Sequence, residues 1–276
     1  MRIAVIVAAL VSGFIGGAKA PPLPTADDVA VAVGHDGRQE ATGGARVAVL
    51  AELFTSEGCS SCPPADDLLR RLIEEQPIKG VEIIALSEHV DYWDRLGWKD
   101  PFSAAQFTER QNSYSRVFGS DRIYTPQLVI DGRFEAVGSD WPEVRRALTQ
   151  AAKTPHAAVA ASATRASSDE SASVHVLVRD LPNTKSSASV LVAVVEDDLV
   201  TEVARGENAR KRLRHSAVVR SLEKIGTLDK GVASGEFNAR VHLKGEWRPN
   251  QLRIVAQVQD ARTQAIVGAA AAPFKP

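Results

Sequence analysis

Cysteine, aromatic residues and net charge are all scarce in this sequence, and each shortage excludes a class of protein. The 276 residues include two cysteines, too few for a disulfide-rich scaffold or for a zinc site built of cysteines alone. Aromatic residues are 5% and the formal net charge is −1, so we expect no nucleic-acid partner. No G-x-S-x-G, phosphate-binding loop or H-E-x-x-H motif occurs, and we expect neither hydrolase chemistry nor a cofactor.

Long hydrophobic runs are also missing. The apolar run at residues 3–15 is shorter than the roughly 20 residues needed to cross a bilayer. Arg2 precedes it and Ala18-Lys19-Ala20 follows it, which is the pattern of a secretory signal peptide. We predict that residues 1–20 are cleaved near Ala20, with an uncleaved anchor as the alternative. The mature chain is then periplasmic or secreted, with no membrane span, in a compartment where disulfides persist.

Residues 45–153 alternate between buried strands and amphipathic helices, after a Pro- and Gly-rich stretch at 21–44 that predicts a flexible lead-in. In order, the predicted elements are a strand at 47–54, a helix after the cysteines, a strand at 81–86, a helix at 103–118, strands at 128–130 and 134–137, and a helix from about 140. The first strand is almost wholly apolar, as strands covered on both faces are. Ser103 and Gln106 have capping-box spacing, which predicts the start of the second helix.

Residues 156–276 have a different pattern, in which single apolar residues alternate with polar ones. Val174, Val176 and Val178 are one such series. Clusters of Ser, Asn, Gly and Pro separate the series, as in antiparallel sheets joined by turns. We predict a second domain here, a small antiparallel β-sandwich of about seven strands that orients or recruits a protein partner.

Cys59 and Cys62 form a C-x-x-C motif between the first predicted strand and the first predicted helix. Unpaired N–H groups and the helix dipole favour a thiolate at a helix N-terminus. Gly58 permits close approach of a substrate. A bridge across so short a loop constrains the unfolded chain little, which argues against a purely structural role. Three interpretations remain: thiol–disulfide chemistry, an inert disulfide, and metal ligation.

The order β-α-β-α-β-β-α with C-x-x-C at the first helix resembles the thioredoxin fold. Thr125-Pro126 precedes the third strand, where proteins of this fold carry a cis-proline that faces the cysteines. The resemblance implies that Pro126 is cis and that the Thr125 backbone pairs with a substrate strand. The chain departs from familiar thioredoxins at Gly58, where they have tryptophan. The predicted fold class is therefore α/β, a thioredoxin-like domain followed by the small β-sandwich.

The chain also resembles a family of secreted bacterial proteins, domain of unknown function 1223 (DUF1223). The stretches that carry the resemblance are ELFTSEGCSSCPPAD at 52–66, EHVDYWD at 88–94, YTPQ at 124–127, GEN at 206–208, LRH at 213–215 and VVR at 218–220. The likeness covers nearly all of the mature chain. It implies a thioredoxin-like fold and export, and no particular activity.

Side chains after the second predicted strand are further candidates. His89 has three interpretations: a proton carrier beside Cys59, a third ligand with the two cysteines for copper or zinc, or a histidine satisfied by the loop backbone. The loop with Trp93 and Trp98 has two interpretations: its aromatic rings form an apolar surface for a peptide substrate, or they hold the loop to the core. Four acidic residues nearby allow a site for a hard cation, but we interpret them as solvated loop carboxylates: Glu88, Asp91, Asp94 and Asp100. The basic stretch 206–220 predicts a solvated hairpin, or contact with an acidic partner or with the first domain.

These observations predict an exported thiol–disulfide oxidoreductase. Cys59 is the attacking thiolate and Cys62 the resolving thiol, while Thr125, Pro126 and Trp93 form the substrate surface. Its partners are protein thiols or disulfides and a redox partner. One alternative is a metallochaperone that binds copper or zinc through Cys59, Cys62 and His89. The other is a non-catalytic interaction protein with an inert disulfide.

Overall fold

The structure is a computed structural model that describes residues 46–165, 170–182 and 185–275. The predicted signal peptide at 1–20 and the predicted lead-in at 21–44 lie outside these residues. Within the described ranges the chain forms three α-helices and thirteen strands. None of the helices described is long and apolar enough to cross a membrane.

The segment 46–153 contains the predicted elements in the predicted order. They are β1 (Val47–Thr55), α1 (Pro63–Glu75), β2 (Val81–His89), α2 (Ala105–Phe118), β3 (Gln127–Ile130), β4 (Phe134–Val137) and α3 (Trp141–Ala151). β1 lies between its parallel partner β2 and its antiparallel partner β3. Seven of the nine residues of β1 are buried, which explains why its sequence is almost wholly apolar.

Local signals account for the helices α1 and α3. α1 begins at Pro63, where a proline costs no hydrogen bond because the first N–H groups of a helix are unpaired. Its buried face includes Leu69 and Leu72, which are spaced as on one side of an amphipathic helix. α3 begins after Asp140, whose carboxylate accepts a hydrogen bond of 3.1 Å from the backbone N–H of Glu143.

The start of α2 differs from the prediction. The residue before α2 is Ala104, and no side chain in the described part of the chain caps the helix. Ser103 Oγ donates instead to Asp94 Oδ2 at 2.8 Å, and Gln106 Nε2 donates to the carbonyl oxygen of Leu222 at 2.6 Å. The predicted capping box is wrong because both side chains have partners outside the helix, one of them 116 residues away.

Nine strands follow α3 in the described part of the chain, where the sequence predicts about seven. They are β5 (Ala158–Arg165), β6 (Ser171–Arg179), β7 (Ala188–Glu196), β8 (Leu199–Glu202), β9 (Arg212–His215), β10 (Val218–Leu228), β11 (Gly235–His242), β12 (Leu252–Asp260) and β13 (Ile266–Lys275). β8 and β9 pair only with each other as a separate two-stranded sheet. They have four residues each, too few for alternation to reveal them in the sequence.

The remaining strands of both segments lie in one sheet of eleven strands. Its order is β11-β6-β5-β13-β12-β7-β10-β2-β1-β3-β4. The junction is between β10 and β2, where Val218 pairs with Ser87 and the backbone N–H of Ser87 donates to the carbonyl oxygen of Ala217 at 2.7 Å. The fold is therefore mixed α/β, mostly one large sheet with few helices. The division into two domains near residues 153–156 stays a prediction.

Apolar side chains form two cores. The first lies around β1, β2 and β3 and includes Leu50, Phe54 and α1. The second contains residues of β6, β7 and β12, such as Val192 and Ile254, each 0% exposed. Three strands lie between β6 and β7 in the sheet, so the sheet curls to bring their apolar faces into one core.

Candidate functional site

The two cysteines form a disulfide at the start of α1. Cys59 and Cys62 are joined, with their Cα atoms 5.5 Å apart. Cys62 is the residue before α1, and its carbonyl oxygen accepts hydrogen bonds from the backbone N–H groups of Ala65 and Asp66. Cys59 lies in the turn that precedes it. The pair is therefore at the N-terminal end of a helix, where the sequence predicts it.

Both cysteines are buried. Cys59 and Cys62 are each 0% exposed, whereas Ser60 and Ser61 between them are exposed. Ser61 Oγ lies 3.3 Å from Cys59 Sγ, within hydrogen-bonding distance of a sulfur atom. The loop presents its serines to solvent and holds the disulfide beneath them.

The predicted substrate-binding residues form a connected group beside the cysteine loop. A Cβ atom on Gly58 would lie 3.0 Å from Cβ of Trp93, so the missing side chain allows Trp93 to pack against the loop. Trp93 Nε1 donates to Thr125 Oγ1 at 2.8 Å. The Thr125–Pro126 peptide bond is cis, as the resemblance implies. Their role in substrate binding stays a prediction.

Glu57, two residues before Cys59, is a fully buried acid whose side chain and backbone both form hydrogen bonds. Its Oε2 accepts a hydrogen bond from Trp98 Nε1 at 2.7 Å, and its Oε1 lies 3.0 Å from Nε2 of His215. Its backbone N–H donates to Asp100 Oδ2 at 2.8 Å. Buried acids persist only when such partners replace water, so this network holds the cysteine loop in place.

His89 is buried and paired with Asp100, at 2.7 Å between Nδ1 and Oδ2. Its ring also contacts that of His215, with centroids 4.9 Å apart. Burial opposes ionisation of Asp100, but the His89 ring and the backbone N–H groups of Glu57 and Phe102 outweigh it and lower the pKa of Asp100. Among the residues described, no three His, Cys, Asp or Glu side chains are placed to hold a metal ion. The structure therefore does not assemble His89 and the cysteines into a metal site.

Asp66 is a further buried acid, which the sequence patterns did not single out. It lies in the first turn of α1, and Thr55 Oγ1 donates to its Oδ1 at 2.9 Å. Burial raises the pKa of Asp66 from 3.8 to about 7, against the attraction of His215 and the hydrogen bond from Thr55. One signal is present in the sequence: Asp66 stands three residues before Leu69 and so shares the apolar face of α1.

The loop between β8 and β9 covers the cysteine loop. Asn208 is 0% exposed, and its Nδ2 donates to the carbonyl oxygens of Glu57 and Cys59, both at 2.9 Å. The backbone N–H of Ser60 donates to Oε2 of Glu207 at 3.0 Å. Of the alternatives for the stretch 206–220, the structure shows two together: a hairpin with exposed basic residues such as Arg212 and Arg214, and contact with the first segment through Asn208.

A separate buried cluster lies around Arg110 of α2. Arg110 Nε is 2.7 Å from Oε1 of Glu52 and 3.4 Å from Oε1 of Glu88. Burial raises the pKa of Glu88 well above its ordinary value. The interpretation of Glu88 and Asp100 as solvated acids is wrong, since both are buried. Arg110 Nη1 donates a hydrogen bond of 3.2 Å to Oε1 of Gln259 in β12, so this cluster also joins the two segments.

Together these features define a mixed α/β protein with a buried C-x-x-C disulfide at a helix N-terminus, covered by a loop from its C-terminal strands. The chain belongs to the family described as "Protein of unknown function (DUF1223)", whose sequence profile matches residues 50–259. The family resemblance seen in the sequence is thus confirmed. No curated protein matches the chain.

Two solved structures are similar over most of the chain. Protein AGR_C_4864 from Agrobacterium tumefaciens is 27% identical, with a TM-score of 0.63 over 83% of this chain and 95% of its own. HBP35 of Porphyromonas gingivalis is 13% identical, with a TM-score of 0.58 over 84% of this chain and 76% of its own. The second likeness concerns the fold alone.

Proposed function

We propose that the protein is an exported thiol–disulfide oxidoreductase that exchanges disulfides with protein substrates through Cys59 and Cys62. In this proposal the segment 45–153 is a thioredoxin-like domain, and the β-sandwich at 156–276 orients a protein partner. The supporting observation is the disulfide within C-x-x-C at the start of α1. When the pair is reduced, the N-terminal end of the helix favours negative charge on a nearby sulfur.

The exchange is a reversible sequence of two displacements. A thiolate of a substrate dithiol attacks Cys59 Sγ, the bond to Cys62 Sγ breaks, and Cys62 leaves as a thiolate. The second substrate thiolate then attacks the substrate sulfur of the mixed disulfide and releases Cys59. Two electrons pass from substrate to protein, and the two substrate protons end on the protein thiols. In reverse, Cys59 attacks a substrate disulfide and Cys62 resolves the intermediate.

Trapping the mixed disulfide tests this proposal. Cys62→Ser leaves Cys59 without its resolving partner, so substrates should remain covalently attached. Proteins of the periplasmic or secreted fraction are separated without reductant, and adducts that reductant releases are identified by mass spectrometry. The double variant Cys59→Ser/Cys62→Ser is the matched control. If Cys62→Ser captures no more protein than this control does, the oxidoreductase proposal is refuted.

Complete burial of both cysteines favours a second candidate function, a non-catalytic interaction protein with an inert disulfide. The equilibrium of the pair with a glutathione or dithiothreitol buffer separates the two candidates. A reduction potential above about −300 mV supports exchange, and a lower value supports an inert bridge. The metallochaperone alternative gains no support from the placement of side chains in the described ranges.

A further inference from the structure

The disulfide is inaccessible, and the loop 203–211 between β8 and β9 contacts the cysteine loop directly. We propose that this loop, here called the cap, is a movable cover that opens to give a thiol access to Cys59 and Cys62. The purpose of the opening rests on the proposed function. The accessibility of the disulfide is a separate property, which is measured without any protein substrate.

Hydrogen bonds between polar groups join the cap to the cysteine loop. Asn208 Nδ2 donates to two backbone carbonyl oxygens, those of Glu57 and Cys59, and Glu207 accepts from the backbone N–H of Ser60. Such hydrogen bonds are exchanged for bonds to water or to a partner at small net cost, in contrast to a packed apolar contact. The cap is therefore held by an interaction that a partner is able to replace.

The cap also has a structure of its own. The backbone N–H of Arg210 donates to the carbonyl oxygen of Val203 at 2.7 Å. The backbone N–H of Val203 donates to the carbonyl oxygen of Lys211 at 3.0 Å. Lys211 Nζ donates to Asn208 Oδ1 at 2.9 Å, which orients the amide toward the cysteine loop. Among the described strands, β8 and β9 pair with each other and with no strand of the large sheet, so the cap moves without breaking a hydrogen bond of that sheet.

Opening of the cap defines what a partner has to supply. It leaves two carbonyl acceptors, of Glu57 and Cys59, and one donor, the backbone N–H of Ser60. An extended peptide carries both kinds of group along its backbone, as in recognition by strand addition. A protein segment next to the reacting cysteine therefore fits this position, and the cap occupies it in the closed form.

Reduction of the disulfide in the full chain by dithiothreitol, followed by release of thiols, tests the cap. Asn208→Asp keeps the size of the side chain but replaces the donor with an acceptor facing two carbonyls. We expect reduction at least tenfold faster than in wild type, although the added negative charge would slow attack by a thiolate. Asn238→Asp, at an exposed position of β11, is the matched control and should react at the wild-type rate.

A second variant with its own control tests the cap in case Asn208→Asp does not fold. Glu207→Ala removes the acceptor for Ser60 at an exposed side chain, and we expect a two- to fivefold faster reduction. Glu202→Ala, exposed on the same hairpin, is its control. The rates are also measured in urea below the unfolding transition, because opening of the cap alone exposes little surface and depends weakly on urea.

The outcomes are distinct from those of the trapping experiment. Faster reduction of Asn208→Asp and Glu207→Ala with weak urea dependence supports the cap, even where Cys62→Ser captures no substrate. The cap proposal is overturned if both variants are reduced at the wild-type rate. It is also overturned if the reduction rates depend on urea as strongly as global unfolding does. In that case trapped substrates would still support the exchange reaction.

Discussion

Replacing Asp66 by asparagine removes a buried ionisable group and keeps the shape of the side chain. The asparagine retains an oxygen that accepts the hydrogen bond from Thr55 Oγ1, which is 2.9 Å long in the native protein. The two forms therefore differ mainly in the charge that Asp66 carries when it ionises. Any difference in stability should depend on pH through that one group.

The sign of the effect follows from the raised pKa of Asp66. The folded state holds the proton of this acid to about pH 7, while the unfolded chain releases it near pH 3.8. The stabilisation from the bound proton is fully present below pH 3.8 and is lost as the pH rises through about 7. At about 1.4 kcal/mol for each pKa unit, the native protein loses at most about 4–5 kcal/mol over this range. The free energy of unfolding of Asp66→Asn does not fall in this way, because asparagine has no ionisable group.

The assay is urea unfolding of both proteins, with the disulfide intact, at several pH values from 4 to 8. We expect near-equal free energies of unfolding at pH 4 and an advantage for Asp66→Asn that grows up to pH 7 and is then constant. Asp67→Asn, on the exposed side of the same helix, is the control and should show no such growth. A difference between Asp66→Asn and the native protein that is constant with pH, or that shrinks as the pH rises, would refute the reasoning.

Two further substitutions test the packing around the site. Arg110→Leu should lower the free energy of unfolding by about 3–5 kcal/mol in a urea titration, because it leaves the two buried glutamates without their cation. Arg71→Ala removes an exposed ion pair and is the control, which should leave the urea midpoint almost unchanged. Gly138→Ala should cost about 1–3 kcal/mol, because the added Cβ would lie 2.7 Å from a side-chain carbon of β1. An unchanged midpoint of thermal unfolding in Gly138→Ala would contradict this packing.

The elements of the first segment were predictable because their signals are local. The continuous apolar run of β1, the spacing of leucines in α1 and the acid that caps α3 each lie within one element. The capping box predicted at Ser103 was wrong because its two side chains are not used locally. The partners of Ser103 and Gln106 lie outside the helix. A local pattern is reliable only where no distant group competes for the same side chain.

The site was predictable in part, and the missing part depends on distant contacts. The C-x-x-C motif and Thr125-Pro126 carry their own pattern. Glu57 and His215 are 158 residues apart, and neither one by itself indicates that it is buried. A charged side chain is normally solvated, and only its partner makes burial tolerable. Polar residues such as Asn208 thus looked like surface residues until the fold brought their partners together.

The cover over the cysteines and the completion of the large sheet depend on the same short piece of chain. β9 ends at His215 and β10 begins at Val218, so only two residues separate the contact with Glu57 from the pairing with β2. Ala217 between them has a φ of 57° and is held by hydrogen bonds to Asp197 and to the backbone of β2. Because these bonds tie the end of β9 to the sheet, displacement of β9 as a whole would disturb the β10–β2 junction. The loop at 203–211 lies at the opposite end of the hairpin from this anchor, and it is the part able to uncover the disulfide while the sheet stays intact.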